Sequence, residues 1–323
     1  MRAVVFGVGG IGGTVAAALS LNGIEVIGIA RGAQLNAIRA RGLRVRTPRM
    51  DKVVRFDCVG SVAEAGLRPD DIVLLCMKTQ DTAAALEDLR AAGLRDQPIF
   101  CLQNGVANER MALRLFPNVH GVTVMVPASF LTPGEIAVHA EPKLGIFDIG
   151  RYPHGQDADD TRLAQALDGS LIAGFVLDDV MASKYGKLLM NLGNILEAAL
   201  GKGHGQDDLV EAARDEARAV YAAHGIAFAD VSMKDPRRAE HLRITDIEGV
   251  ERVGGSTTQS LLRGLGSVET DYLNGEIVLL GRLAGVPTPV NAGLVALAAR
   301  LVQEGAPAGG VDAAQLRADL ALA

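Results

Sequence analysis

The chain opens on a short apolar strand, Ala3-Val4-Val5-Phe6, which runs straight into Gly7-Val8-Gly9-Gly10-Ile11-Gly12. An alanine-rich helical stretch over 13–20 follows, and then a second apolar strand over 25–29. This order of strand, glycine loop, helix and strand leaves few folds open, because each glycine answers a separate demand. Gly7 permits the tight turn out of the strand, Gly9 lets backbone amides approach a pyrophosphate, and Gly12 lets the helix pack close to the sheet. The helix start adds N–H groups and the positive end of its dipole. Glycines also serve ordinary turns, but here the elements stand in the order a dinucleotide-binding unit requires. Gly7, Gly9, Gly10, Ile11 and Gly12 are therefore expected to hold a dinucleotide.

The end of the second strand reads Ile29-Ala30-Arg31-Gly32 and has no acid. An NAD-preferring unit places Asp or Glu there to hold the ribose hydroxyls. Arginine instead offers a charge and a planar donor fork that suit a 2′-phosphate. The expected cofactor is NADP(H), with a merely solvated arginine as the plain alternative.

At 323 residues the chain is too long for one ordinary core and comfortable as two domains. A net charge of −6 argues against a nucleic-acid surface. Cys58, Cys76 and Cys101 are scattered, with no CxxC and no Cys/His spacing for a metal, and read as thiols of a reducing compartment. No apolar run reaches membrane-spanning length, and no signal peptide precedes the glycine loop, so a cytoplasmic protein is expected.

Apolar strands at 71–77, 98–102, 119–126 and 144–149 alternate with helical stretches, and 136–139 looks like part of a hairpin. Such alternation implies a parallel sheet covered on both faces. After Phe175-Val176-Leu177 the strand signal stops and helical periodicity takes over, broken near 201–205, Pro236, Gly254-Gly255 and 287–289. The reading is α/β: a Rossmann-type doubly wound sheet over 1–178 and an all-helical domain over 179–323. The Gly/Ala/Pro-rich tail at 304–311 is expected to be loose.

Ligands of open α/β sheets sit beyond the carboxyl ends of the strands. Two strand ends carry suitable groups, Lys78 after Met77 and Asn104 after Leu102. Lys78 at a helix start opposes the dipole, which leans it towards an anion, whereas Asn104-Gly105 also suits a plain turn. In the second half, Lys187 and Asn191 are four apart on one helix face, with Asn194 two turns above Lys187. Lysine is readily tuned for proton transfer, although solvated amides at the domain surface remain the other reading. Ser256 with Gln259 spells a capping box, which leaves Thr257 available for a ligand. A long helix is expected to follow, with Leu261, Leu262, Leu265, Val268, Tyr272 and Leu273 as its apolar stripe and Glu269 beside it.

Taken together, GVGGIG with Arg31, MKTQ with Lys78, the QNG at 103–105, KLLMN from Lys187 and SVETDYLNG with Glu269 resemble the ketopantoate reductase (2-dehydropantoate 2-reductase) family over essentially the whole chain. The resemblance implies a 6-phosphogluconate dehydrogenase-like fold and NADPH-dependent reduction of a small 2-keto acid, 2-dehydropantoate, to pantoate in pantothenate biosynthesis. It implies Lys187 as general acid and Glu269 as the carboxylate that orients it. Asn104, Asn191 and Thr257, the last matching the family's serine, become substrate partners, with Asn194 a further candidate. Lys78 and Asn104 join the cofactor contacts, and a homodimer is implied. The family's second asparagine is Ile195 here, and Asn194 comes one residue early, a turn of about 100° around a helix. A related dehydrogenase of another keto or hydroxy acid, and a non-catalytic NADP(H) sensor, are the alternatives.

Overall fold

The computed structural model describes residues 1–201, 203, 206–264 and 266–320. Most of the 201–205 stretch and Leu265 of the expected stripe thus lie outside the described residues. The chain divides into two compact units, Met1–Lys184 with Asp230–Arg252, and Tyr185–Ala229 with Val253–Ala323. The division falls after Lys184 rather than near 178, and a late segment returns to the first unit. The cause is a buried carboxylate: Asp148 accepts from Ser183 Oγ (2.5 Å) and from Arg237 Nη1 (2.5 Å), which itself pairs with Asp235.

All the strands of the described residues belong to the first unit. In chain order they are β1 (Arg2–Phe6), β2 (Glu25–Ile29), β3 (Leu43–Thr47), β4 (Met50–Val54), β5 (Asp57–Val59), β6 (Asp71–Leu75) and β7 (Ile99–Cys101). There follow β8 (Val119–Met125), β9 (Ala128–Thr132), β10 (Glu135–Val138), β11 (Ala140–Pro142), β12 (Gly145–Arg151), β13 (Ile172–Val176) and β14 (Leu242–Ile244). The main sheet runs β5-β2-β1-β6-β7-β8-β12-β13. It is parallel from β5 to β8, while β12 pairs antiparallel with β8 and parallel with β13. Every residue of β6 is buried, as expected of a strand covered on both faces. The chain leaves β1 towards β2 on one side and later returns to β6 on the other. The ends of β1 and β6 therefore mark the topological switch point where such sheets take their ligands.

The stretch at 136–139 does belong to a hairpin, β9–β10, turned through Gly134 at φ 82°. Through β10 it pairs with β3, which pairs with β4, in a second sheet that the pattern did not foretell. The third pairing, β11 with β14, joins the returning segment to the unit.

Among the described residues of the second unit the regular elements are helices, including Asn194–Leu200, Asp207–His224, Ser256–Leu262, Asn274–Ala284, Pro289–Glu304 and Ala313–Asp319. The long helix expected after Ser256 is three pieces, with a 3₁₀ turn at Glu269–Tyr272 in the middle. Glu216 accepts from the Val290 (2.7 Å) and Asn291 (2.9 Å) N–H groups, a carboxylate at a helix start. The tail over 304–311 is tied rather than loose, because the Gly309 and Val311 N–H groups donate to the Ala198 and Ala199 carbonyls.

Candidate active site

The glycine loop follows β1 and enters the helix Gly10–Leu21. Gly7 has φ 99°, and a Cβ there would fall 2.7 Å from the Met77 nitrogen. At Gly12 a Cβ would sit 2.1 Å from the Gly7 carbonyl oxygen, so only hydrogen permits this approach of helix and strand. Gly9 is different. A Cβ there would meet nothing within 4 Å, so the backbone faces open space where the helix begins. No side chain caps that start, and no acid stands in its first turn. A cradle with open room above backbone N–H groups fits a dinucleotide pyrophosphate. Gln34, which the sequence reading missed, braces the loop by donating to the Val8 carbonyl (2.8 Å) and accepting from the Gly134 N–H (2.7 Å).

Arg31 lies two residues beyond β2 as the N-cap of the helix Gly32–Arg41, is 82% exposed and lies 3.5 Å from Asp81, an exposed pair of small energetic weight. Its guanidinium is accessible to an anion. Lys78 precedes the 3₁₀ turn Thr79–Asp81 after β6 and is half-buried. Beyond β7, the Asn104 carbonyl accepts from Asn108 Nδ2 (3.2 Å) and Thr79 Oγ1 (3.4 Å). The Asn104 side chain makes no hydrogen bond among the described residues. Asn108 also accepts from Thr82 Oγ1 (2.8 Å), and Thr82 Oγ1 accepts from Gln103 Nε2 (3.0 Å). The ends of β6 and β7 are thus cross-linked by polar side chains, whereas Asn104 keeps its amide for something else.

In the second unit, Lys187 and Asn191 share a face of the helix Val180–Asn191. Asn191 is only 8% exposed, and its Nδ2 has no hydrogen-bond acceptor among the described residues. A buried donor left unpaired is costly, which makes this amide a candidate for a ligand oxygen. Asn194 does not stack above Lys187. The helix stops at Asn191, and Asn194 opens the next one. At the break the Leu192 carbonyl accepts from Asn274 Nδ2 (3.1 Å), and Val210 lies 3.1 Å from where a Gly193 Cβ would be. Ile195 is 1% exposed and belongs to the core.

The capping box at Ser256 is not formed. Gly255 is the N-cap, Ser256 is the first helical residue, and Gln259 Nε2 donates to the Gly254 carbonyl (3.1 Å). The start of this helix is instead served by Glu197, whose carboxylate accepts from the Gly255 N–H (3.2 Å). No local signal points to Glu197, because the contact spans 58 positions. Thr257 and Glu269 are both buried, Glu269 at 8% exposure as the first residue of its 3₁₀ turn. The second unit therefore carries Lys187, Asn191, Thr257 and Glu269, while the first carries the glycine loop, Arg31, Lys78 and Asn104.

All three cysteines are free thiols. Burial pushes Cys58 up to about 11 and raises Cys76 and Cys101 as well, so none is a ready nucleophile. His120, Asp157 and Asp159 lie close enough to hold a cation. All three have other partners: His120 Nδ1 is hydrogen-bonded with Asp160 (2.7 Å), Asp157 pairs with Arg151 (2.7 Å) and caps the helix Ala158–Asp168, and Asp159 accepts from Asn118 Nδ2 (3.2 Å).

Residues 3–154 match the family described as ketopantoate reductase PanE/ApbA, and residues 179–302 match its C-terminal part. The 2-dehydropantoate 2-reductase of Pyrococcus horikoshii is 27% identical, over 90% of this chain and 94% of that protein. A PanE/ApbA family ketopantoate reductase from Ralstonia eutropha superposes with a TM-score of 0.77 at 29% identity, covering 94% and 99% of the two chains. D-mandelate dehydrogenase, solved with NADH and anilino(oxo)acetate, shares the fold with a TM-score of 0.78 at 23% identity, covering 94% and 99%.

Proposed function

The chain belongs to the ketopantoate reductase family of oxidoreductases, and from that premise we propose that it reduces a 2-keto acid to a 2-hydroxy acid with NADPH, 2-dehydropantoate to pantoate first among candidates. The cofactor class is a nicotinamide dinucleotide, as in the NADH-bound D-mandelate dehydrogenase, and the phosphorylated form is our reading of Arg31. Gly7, Gly9, Gly10, Ile11 and Gly12 hold the pyrophosphate, Arg31 the 2′-phosphate, and Lys78 and Asn104 the part beyond β6 and β7. When bound, the reduced nicotinamide supplies hydride.

The chain's own residues then handle charge and proton. Lys187, as ammonium, stabilises the oxyanion that develops on the substrate's ketone oxygen and donates the proton to it. Glu269 keeps Lys187 charged and oriented. Asn191 and Thr257 hydrogen-bond the substrate, and Lys78 offers a cation for an anionic group. The observation that carries this reading is the buried, unpaired Asn191 amide four residues along the helix from Lys187. Pantothenate biosynthesis, a cytoplasmic setting and a homodimer go with the same reading.

One observation favours a second reading. Ile195, at the position of the family's second asparagine, faces the core, and Asn194 starts a separate helix. A ligand contact is thereby removed, which suits a related 2-keto acid of different shape. The test is NADPH oxidation with 2-dehydropantoate and a panel of 2-keto acids, for wild type and Lys187→Ala. We predict that Lys187→Ala keeps cofactor affinity while turnover falls by about 10²–10⁴. Turnover that barely changes would remove Lys187 from its role.

A further inference from the structure

Lys184, one helical turn before Lys187, has almost no exposed surface. Its ammonium donates to the carbonyl oxygens of Cys101 (3.3 Å) and Gln103 (3.1 Å) and to Glu109 Oε1. Three acceptors thus meet the three N–H bonds of the lysine. The path to them crosses β8 at Gly121, where a Cβ would lie 3.4 Å from Lys184 Cδ and 3.6 Å from Glu109 Oε1. Glu109 is fully buried, and its Oε2 has no hydrogen-bond partner among the described residues. Burial pushes its carboxyl upward, and the ammonium opposes that shift.

A buried ion pair with one oxygen unsatisfied is a poor source of stability, since packed apolar side chains often do as well. Its placement is more telling. Lys184 grips two alternate carbonyls where β7 ends, and Asn108 and Thr79 take the carbonyl of Asn104 just beyond. Carbonyls 101, 103 and 104 are each fixed by a side chain, so the turn that presents the Asn104 amide has little freedom left.

We infer that Lys184 and Glu109 are positioning residues, which lock the Gln103–Asn104 turn so that the Asn104 side chain meets the cofactor in one orientation. This rests on the assignment of Asn104 as a cofactor contact. A site loosened by even an ångström loses much of its binding and rate.

The test uses the full chain and two variants. Lys184→Met/Glu109→Leu replaces the pair by apolar side chains and avoids stranding a buried charge. Glu109→Gln keeps an oxygen acceptor for Lys184. Amide hydrogen exchange over 103–107 in the free protein is measured beside NADPH affinity by fluorescence. In the double variant, exchange there rises about tenfold while β1 and β6 stay protected. NADPH affinity falls about fivefold or more, and Glu109→Gln stays within about twofold of wild type. Unchanged exchange in the double variant overturns the inference, and so does faster exchange with undiminished affinity. Wild-type protein that binds no NADPH overturns the cofactor assignment itself, and the exchange contrast then still decides whether the pair holds the turn.

Discussion

Alanine at Gly9 and at Gly12 separates the two tasks of the glycine loop. At Gly12 the added methyl lands 2.1 Å from the Gly7 carbonyl oxygen and 2.9 Å from Cys76 Cβ, so backbone has to move. Overpacking of that kind costs about 1–3 kcal/mol. In a unit of roughly 200 residues this lowers Tm by roughly 2–12 °C. At Gly9 the methyl meets no protein atom within 4 Å, and the backbone φ of −93° lies outside the left-handed region that favours glycine. We predict that Gly9→Ala leaves Tm nearly unchanged but fills the room above the loop amides. Losing one or two amide bonds to a charged phosphate, each worth about 1.5–3 kcal/mol, weakens NADPH by about tenfold or more. Thermal melts followed by circular dichroism and fluorescence titration with NADPH read the two effects separately. Gly9→Ala with wild-type affinity would refute the placement of the pyrophosphate, and a Tm loss equal to that of Gly12→Ala would refute the steric argument.

Arg31→Ala is expected to weaken NADPH by about tenfold and leave NADH within about twofold, since only the 2′-phosphate is lost. Asp81→Asn, which removes the acid 3.5 Å from Arg31, shifts NADPH affinity in the opposite direction; equal effects on both cofactors would count against a phosphate site. Glu141 is held down to about 2 by Arg243 and then Arg49. Its folded value lies below the ordinary glutamate value of about 4.3, so its stabilisation is full above that pH and fades as pH falls through about 2. The Tm advantage of wild type over Glu141→Gln should therefore shrink in acid, and a gap independent of pH would sink this account. Folded protein at neutral pH should resist iodoacetamide at all three cysteines, whereas denatured protein takes up label at each; mass spectrometry decides.

Strands such as β1 and β6 were legible because burial on both faces leaves an unbroken apolar run. By contrast, β3 reads Leu43-Arg44-Val45-Arg46-Thr47, alternating buried and open positions, and its pairing with β10 lies far along the chain. Nothing local announces that second sheet. The glycine loop was readable for the opposite reason, since its demands are met within six residues. Ser256 misled because a capping box is a local signal, while the group that serves this helix start, Glu197, arrives from another helix. Lys187 stood out by its spacing from Asn191, yet the same segment hid Lys184, whose meaning depends on Glu109 and on the carbonyls of Cys101 and Gln103. Roles set by distant partners are invisible to spacing.

The return of Asp230–Arg252 bears on how the protein is made. A nascent chain that has emerged only as far as Lys184 has every strand of the main sheet, but Asp148 still lacks the Arg237 guanidinium and β11 lacks β14. The first unit waits, on the order of seconds at ribosomal speed, until the opening helices of the second have been synthesised. Its folding is completed from behind, and no single cut of the chain releases it whole.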